Sequence, residues 1–263
     1  MAREPLPLPQ TVGKLRAAVI VAAVLSLGPL RADVADSLVR DALAAEARFD
    51  SRTALDLFLR ADVARPDDPF INQKVARQYS DLSFDTAVAA EQRRLCTAAL
   101  ARAQRSVALQ PHDAVNVLSV AICYGKLAAL ADTRTKIEYS RLVKTFAEQA
   151  VALNPGYDYA HHVLGRWHYE VATLGLATRW VVRLVYGGLP DASTTEAVRH
   201  LTRATALSPQ LPAHRVELGF ALLADGQRDA AATAFAQALA LPPREKYDAA
   251  ARARAAAALR QLR

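Results

Sequence analysis

The chain is poor in most of the residues that mark chemistry. Among its 263 residues are only two cysteines, Cys96 and Cys123, and no Cys-x-x-Cys. That excludes a multi-cysteine zinc site, a disulfide-stapled scaffold and a thioredoxin-like dithiol. The two thiols read as packing residues, with a pairing between them left open. Glycine, at 10 residues, and aromatics, at 6%, are too scarce for a β-sandwich, which needs frequent turns and aromatic strands. There is no glycine-rich phosphate loop, no His-Glu-x-x-His, and no Ser/His/Asp or Cys/His set in local register. No catalytic residue, cofactor or metal is therefore assigned, and the chain reads as non-enzymatic. Long apolar runs are missing too, apart from one near the N-terminus.

What is present is small and apolar: 52% of the residues are hydrophobic. Lys14 and Arg16 precede an apolar run from Ala17 to Leu30, followed by Ala32 and polar "DVADS". This is the pattern of a secretory signal peptide over residues 1–32. The run is short of the ~20 residues a membrane span needs, although an uncleaved anchor stays open as the alternative. The expected address is export, most simply to a periplasm. Arg3, Lys14, Arg16 and Arg31 against Glu4 carry +3 of the formal +7, which leaves +4 on the mature chain. No Lys/Arg run remains there to form a nucleic-acid footprint.

The remaining residues, 33–263, repeat. Ala54, Phe58, Ala61 and Pro66 share a frame with Ala231, Phe235, Ala238 and Pro243. Looser copies are Ala99, Ser106, Leu109 and Pro111; Ala150, Leu153 and Pro155; and Ala197, Leu201, Ala204, Leu207 and Pro209. Small residues let paired helices touch, a large one fills the gap, and proline stops the second helix. First-helix signals follow the prolines: Val75-Ala76, Val120-Ala121, Leu164-Gly165 and Leu218-Gly219. This is the frame of the tetratricopeptide repeat (TPR). It predicts an all-α, right-handed solenoid of about five helix pairs, with a C-terminal capping helix after "LPPREKYDAA". The stops at 66, 111, 155, 209 and 243 show that the middle repeats are long. Both helices on either side of "FDTAVAAEQ" and "ALADTRTKIEY" are expected to be lengthened.

The fourth repeat holds an insertion, residues 174–186, apolar except for Arg179 and Arg183, which lie one turn apart. It is too short to cross a bilayer. A helix apolar nearly all round is normally buried, so it reads first as packed against the solenoid. A lid over a groove, or a patch that meets a membrane or partner, are the alternatives.

"LGRWHYEVA" (164–172), the insertion after it, and "ASTTEAVRHLTRATALSPQ" (192–210) resemble the regulator of microtubule dynamics family over about residues 69–260. The resemblance implies a TPR protein, here a bacterial-type exported member. Family members are linked to microtubules and organelle contact sites, and one branch binds and transfers phospholipids, phosphatidic acid among them. An exported chain would never meet tubulin, whereas lipid binding survives a change of compartment.

In a TPR solenoid the first helices line the concave surface. The frame puts Arg77, Val115, Leu118, Ile122, Lys126, Tyr159, His162, Arg166, Tyr169 and Phe220 there, with Phe70, Gln73, Glu170, Val216 and Leu223 beside them. An apolar floor with spaced cations suits a peptide helix laid in the groove. It suits equally an anionic phospholipid, with acyl chains on the floor and the head on Arg or Lys. The leading expectation is a scaffold for a protein or peptide partner, with phospholipid binding or transfer as the alternative. A microtubule role is the third, if the chain is cytoplasmic. A groove filled by the protein itself, by the insertion, is the structural alternative. His161 and His168 stand two turns apart, too far for one metal, and read as packing residues.

Overall fold

The protein is described by a computed structural model over residues 33–262, excluding the side chains of Leu176, Ala177 and Arg179. The signal peptide or anchor expected at 1–32, and the stripe expected of Arg179, lie outside the described residues.

Twelve helices and no strand are found among the described residues. They are α1 (33–46), α2 (Ser51–Ala64), α3 (Pro69–Leu82), α4 (Ala89–Leu109), α5 (Ala114–Ala129) and α6 (Thr133–Leu153). Then follow α7 (Asp158–Ala172), α8 (Leu176–Tyr186), α9 (Thr194–Leu207), α10 (Pro212–Ala224), α11 (Arg228–Ala240) and α12 (Asp248–Leu262). The pairs are α1/α2, α3/α4, α5/α6, α7/α9 and α10/α11, with α8 inserted in the fourth and α12 as the cap. None of these helices is long and apolar enough to cross a membrane.

Local chemistry sets the boundaries. The carboxylates of Asp50, Asp68, Asp113 and Asp132 accept hydrogen bonds from first-turn amides of α2, α3, α5 and α6, and the Ser193 hydroxyl does the same for α9. Pro66, Pro111, Pro155 and Pro209 each stand one residue beyond the C-caps Arg65, Gln110, Asn154 and Ser208. A proline there cannot continue the helix, so the chain turns into the next repeat.

The extra length of repeats two and three falls on one side of each turn. α4 and α6 have 21 residues each, whereas α3 has 14 and α5 has 16. The expectation that both helices lengthen is corrected. Asp132 caps α6 immediately after a short turn, so the surplus residues extend the second helix.

Successive first helices touch in the order α3, α5, α7, α10 and α12, making an inner layer, with the second helices behind. Two glycines make the pairs fit. A Cβ on Gly219 would overlap the Phe235 ring, and one on Gly165 would lie 2.7 Å from Leu201 Cγ. Phe58 and Phe235, the large residues of the frame, are fully buried. Cys96 and Cys123 are free and buried. Burial pushes the Cys123 thiol up to about 12, which leaves it inert at neutral pH.

Candidate functional site

The concave surface is closed by the chain's own C-terminal end. Residues 241–247, joining α11 to α12, cross to the second repeat. Glu245 accepts a 3.0 Å hydrogen bond from Arg77, and Lys246 donates to Asp85 at 2.7 Å and to Ser51 at 3.1 Å. The Tyr247 hydroxyl donates to Asp81 at 2.6 Å, and its ring meets Phe84 edge-on at 4.9 Å. Lys126 donates to the Ser80 carbonyl at 2.7 Å and to the Tyr247 hydroxyl at 3.2 Å. Burial lowers the Lys126 pKa despite the nearby Asp81.

Two of the cations expected to hold an anionic ligand are thus engaged internally. Arg77 also faces Glu46 and Asp81, at 3.5 and 3.9 Å. The third, Arg166, is half-exposed and bonded to Glu170 at 2.8 Å.

The apolar residues of the expected floor divide. Val115 is exposed and Ile122 half-buried. Leu118 is fully buried, packed with Ala147, Ala150 and Leu164 of the flanking helices, and is corrected from groove to core. The reason is the central place of α5, which is covered by α4 and α6 behind and by α3 and α7 at its sides. Val216 is core for the same kind of reason. Tyr159 and His162 pack against His214, whose Nδ1 lies 3.0 Å from His162 Nδ1. At the C-terminal end, the Arg254 guanidinium of the cap lies 4.6 Å over the Phe220 ring, with Tyr169 beside it. The groove is self-filled, but by the α11–α12 connector and not by the insertion.

The insertion lies on the outer side, against α6. The Arg141 guanidinium donates to the carbonyls of Tyr186 and Gly188, at 2.6 and 2.5 Å, closing the C-terminal end of α8. Gly187 there takes the left-handed conformation, at φ 74°. Val182 packs inward. Trp180, Val181, Leu184 and Val185 do not: they are 72, 55, 80 and 60% exposed. The expectation that α8 is buried all round is corrected, since among the described residues it packs against α6 and shows that helix one face. A cleft of about 480 Å³ lies beside it, lined by Arg134, Ile137, Glu138, Arg141, Val185 and Tyr186. Four large apolar side chains on one helix face form the patch a monomeric protein normally hides.

The repeat region as a whole has counterparts among known proteins. The model of "Regulator of microtubule dynamics protein 1-3" matches residues 38–263. The chain belongs to the regulator of microtubule dynamics family. Regulator of microtubule dynamics protein 3 of Xenopus laevis is 29% identical over 136 residues, 52% of this chain and 29% of that one. Regulator of microtubule dynamics protein 1 of Bos taurus is 25% identical over 137 residues, 52% of this chain and 43% of that one. The matched stretch therefore spans less than half of either relative. A thermophilic TPR protein of Thermus thermophilus superposes with a TM-score of 0.62 at 24% identity, over 86% of this chain and 98% of that one. That likeness concerns the fold.

In this family member the residues that sequence reasoning missed are Glu245 and Tyr247, which occupy the groove. No local signal marks them, because their partners stand more than 160 positions earlier. The outward face of α8 had a signal: Trp180, Val181, Leu184 and Val185 follow a helical stripe.

Proposed function

We propose that the protein is a non-enzymatic TPR scaffold that docks a protein partner through the outward face of α8. The observation that carries this reading is the exposure of Trp180 and Leu184, 72 and 80%, on a helix held at its C-terminal end by Arg141. An amphipathic helix with its apolar face free matches the helix-in-groove mode, in which residues one turn apart anchor in an apolar slot of the partner. The cleft with Arg134, Glu138 and Arg141 would supply the polar rim. The test is photocrosslinking from positions 180 and 184, followed by binding measurements on the purified partner. Leu184→Glu is expected to abolish that binding and Arg77→Ala to leave it unchanged. The opposite pattern would return the site to the concave surface.

A second reading is anionic phospholipid binding, favoured by one observation. α8 carries no acidic residue, while Arg183 is exposed on it and Arg134 and Arg141 line the adjoining cleft. Apolar residues with flanking cations are what an interfacial helix needs. Flotation with phosphatidic acid/phosphatidylcholine vesicles separates the readings: binding lost in both Leu184→Glu and Arg183→Ala would favour lipid. The microtubule role in the relatives' names needs a cytoplasmic address. Residues 1–32 argue for export: a mature N-terminus near residue 33 would remove the microtubule reading, whereas one at Met1 would leave the anchored and the cytoplasmic readings.

A further inference from the structure

Five of the six histidines of the chain lie where α7, α9 and α10 meet, and one group of them converges on a carboxylate. His161, His168 and His200 are each at most 7% exposed. One nitrogen from His168, one from His200 and a carboxylate oxygen of Glu196 lie within 4.8 Å of one another.

The tautomers follow from the hydrogen bonds. The Pro155 carbonyl, 3.1 Å away, can only accept, so His161 Nε2 carries the proton. His161 Nδ1 is then an acceptor, and it faces His200 Nδ1 at 2.9 Å, which must donate. His200 Nε2 is left with a lone pair, and it points to Glu196, whose Oε2 is 3.8 Å away. The chain from a backbone carbonyl through His161 to His200 is the kind of support that orients a metal-binding imidazole. His168 Nδ1 is buried and has no hydrogen-bond partner. A buried nitrogen left unpaired is destabilising, so His168 is suited to a partner that the chain does not provide.

A cation already stands between the two better-defined ligands. The Arg199 guanidinium donates to the Glu196 carboxylate at 2.6 Å and to His200 Nε2 at 2.8 Å. The Arg199 side chain is 60% exposed, so it is free to swing into solvent. It fits as a place-holder.

We propose that His168, His200 and Glu196 form a binding site for a divalent transition-metal ion, Zn²⁺ being the ion tested, which displaces the Arg199 guanidinium. Two imidazoles and a carboxylate suit such an ion, and three protein ligands leave a position for water or another donor. The ion joins α7 to α9, the two helices that flank the inserted α8. His161 orients His200 and is not a ligand, in keeping with its two-turn separation from His168.

The test is titration of the full chain with Zn²⁺ and Co²⁺, reading calorimetric stoichiometry and the visible spectrum of the Co²⁺ form. One ion per chain is expected, with affinity lowered at least ~10-fold in Glu196→Gln and in His168→Gln. Arg199→Gln is expected to tighten binding several-fold, because it removes the competing cation. Glu196 is half-exposed in the first turn of α9, so E196Q carries the test if H168Q fails to fold. Binding unchanged by E196Q, binding not strengthened by R199Q, or a thiolate-to-cobalt band from Cys96 or Cys123 would each overturn the proposal.

Discussion

At the scale of single residues, two kinds of position govern stability. Gly219 allows α10 to rest on the Phe235 ring, which any Cβ there would overlap. Gly219→Ala is expected to lower the unfolding free energy by about 1–3 kcal/mol, the usual cost of overpacking, measured as a shift of the urea midpoint. His162 is the other kind. Burial, then the charges of His214 and Arg166, hold its pKa well below 6.5. It stays neutral in the fold at pH values where the unfolded chain binds a proton. The stability it contributes is therefore complete above pH 6.5 and is lost as pH falls below that value. Thermal unfolding is expected to shift downward between pH 7.5 and 5, and the shift to shrink in His162→Gln. The close approach at Gly219 is legible in the sequence because the TPR frame assigns a small residue there, whereas the packing of His162 on His214 is not, because its partner stands 52 positions later.

At the scale of elements, α8 separates packing from function. Its buried contact is Val182, while the face with Trp180 and Leu184 touches solvent. Leu184→Glu is expected to change stability by no more than ~0.5 kcal/mol, as exposed substitutions do, while removing the docking described above. Arg141→Ala acts from the neighbouring helix. It leaves the last carbonyls of α8 without their guanidinium donor, so amide exchange in 182–188 is expected to speed up while α6 stays protected. The existence and end of α8 were legible from its apolar run and Gly187-Gly188. Its orientation was not, because a stripe of apolar residues looks the same whether it faces a core or a partner. The same limit applies to repeats two and three: their surplus length was legible, and its assignment to α4 and α6 depended on where caps formed.

At the scale of the whole molecule, the connector 241–247 turns an open solenoid into a closed one. Tyr247 lies at the centre, bonded to Asp81 and Lys126 and packed on Phe84. Tyr247→Ala is expected to enlarge the radius of gyration in solution scattering, and to expose a groove that then binds an apolar dye. An unchanged radius and no dye binding would show that Glu245 and Lys246 suffice to hold the ring.

The sequence by itself determined the repeats, their boundaries, the place of the insertion and the cap. Proline stops, N-capping carboxylates and the small–large frame act within one or two turns, and their chemistry is local. Only the tertiary structure decided that Leu118 is core, that Arg77 and Lys126 are occupied, that α8 faces outward, and that Glu196 and His200 reach His168. The first, third and fourth outcomes depend on side chains from neighbouring helices that meet only when the pairs stack, and the second on the curvature that brings 241–247 back to the second and third repeats; neither is encoded in a local pattern.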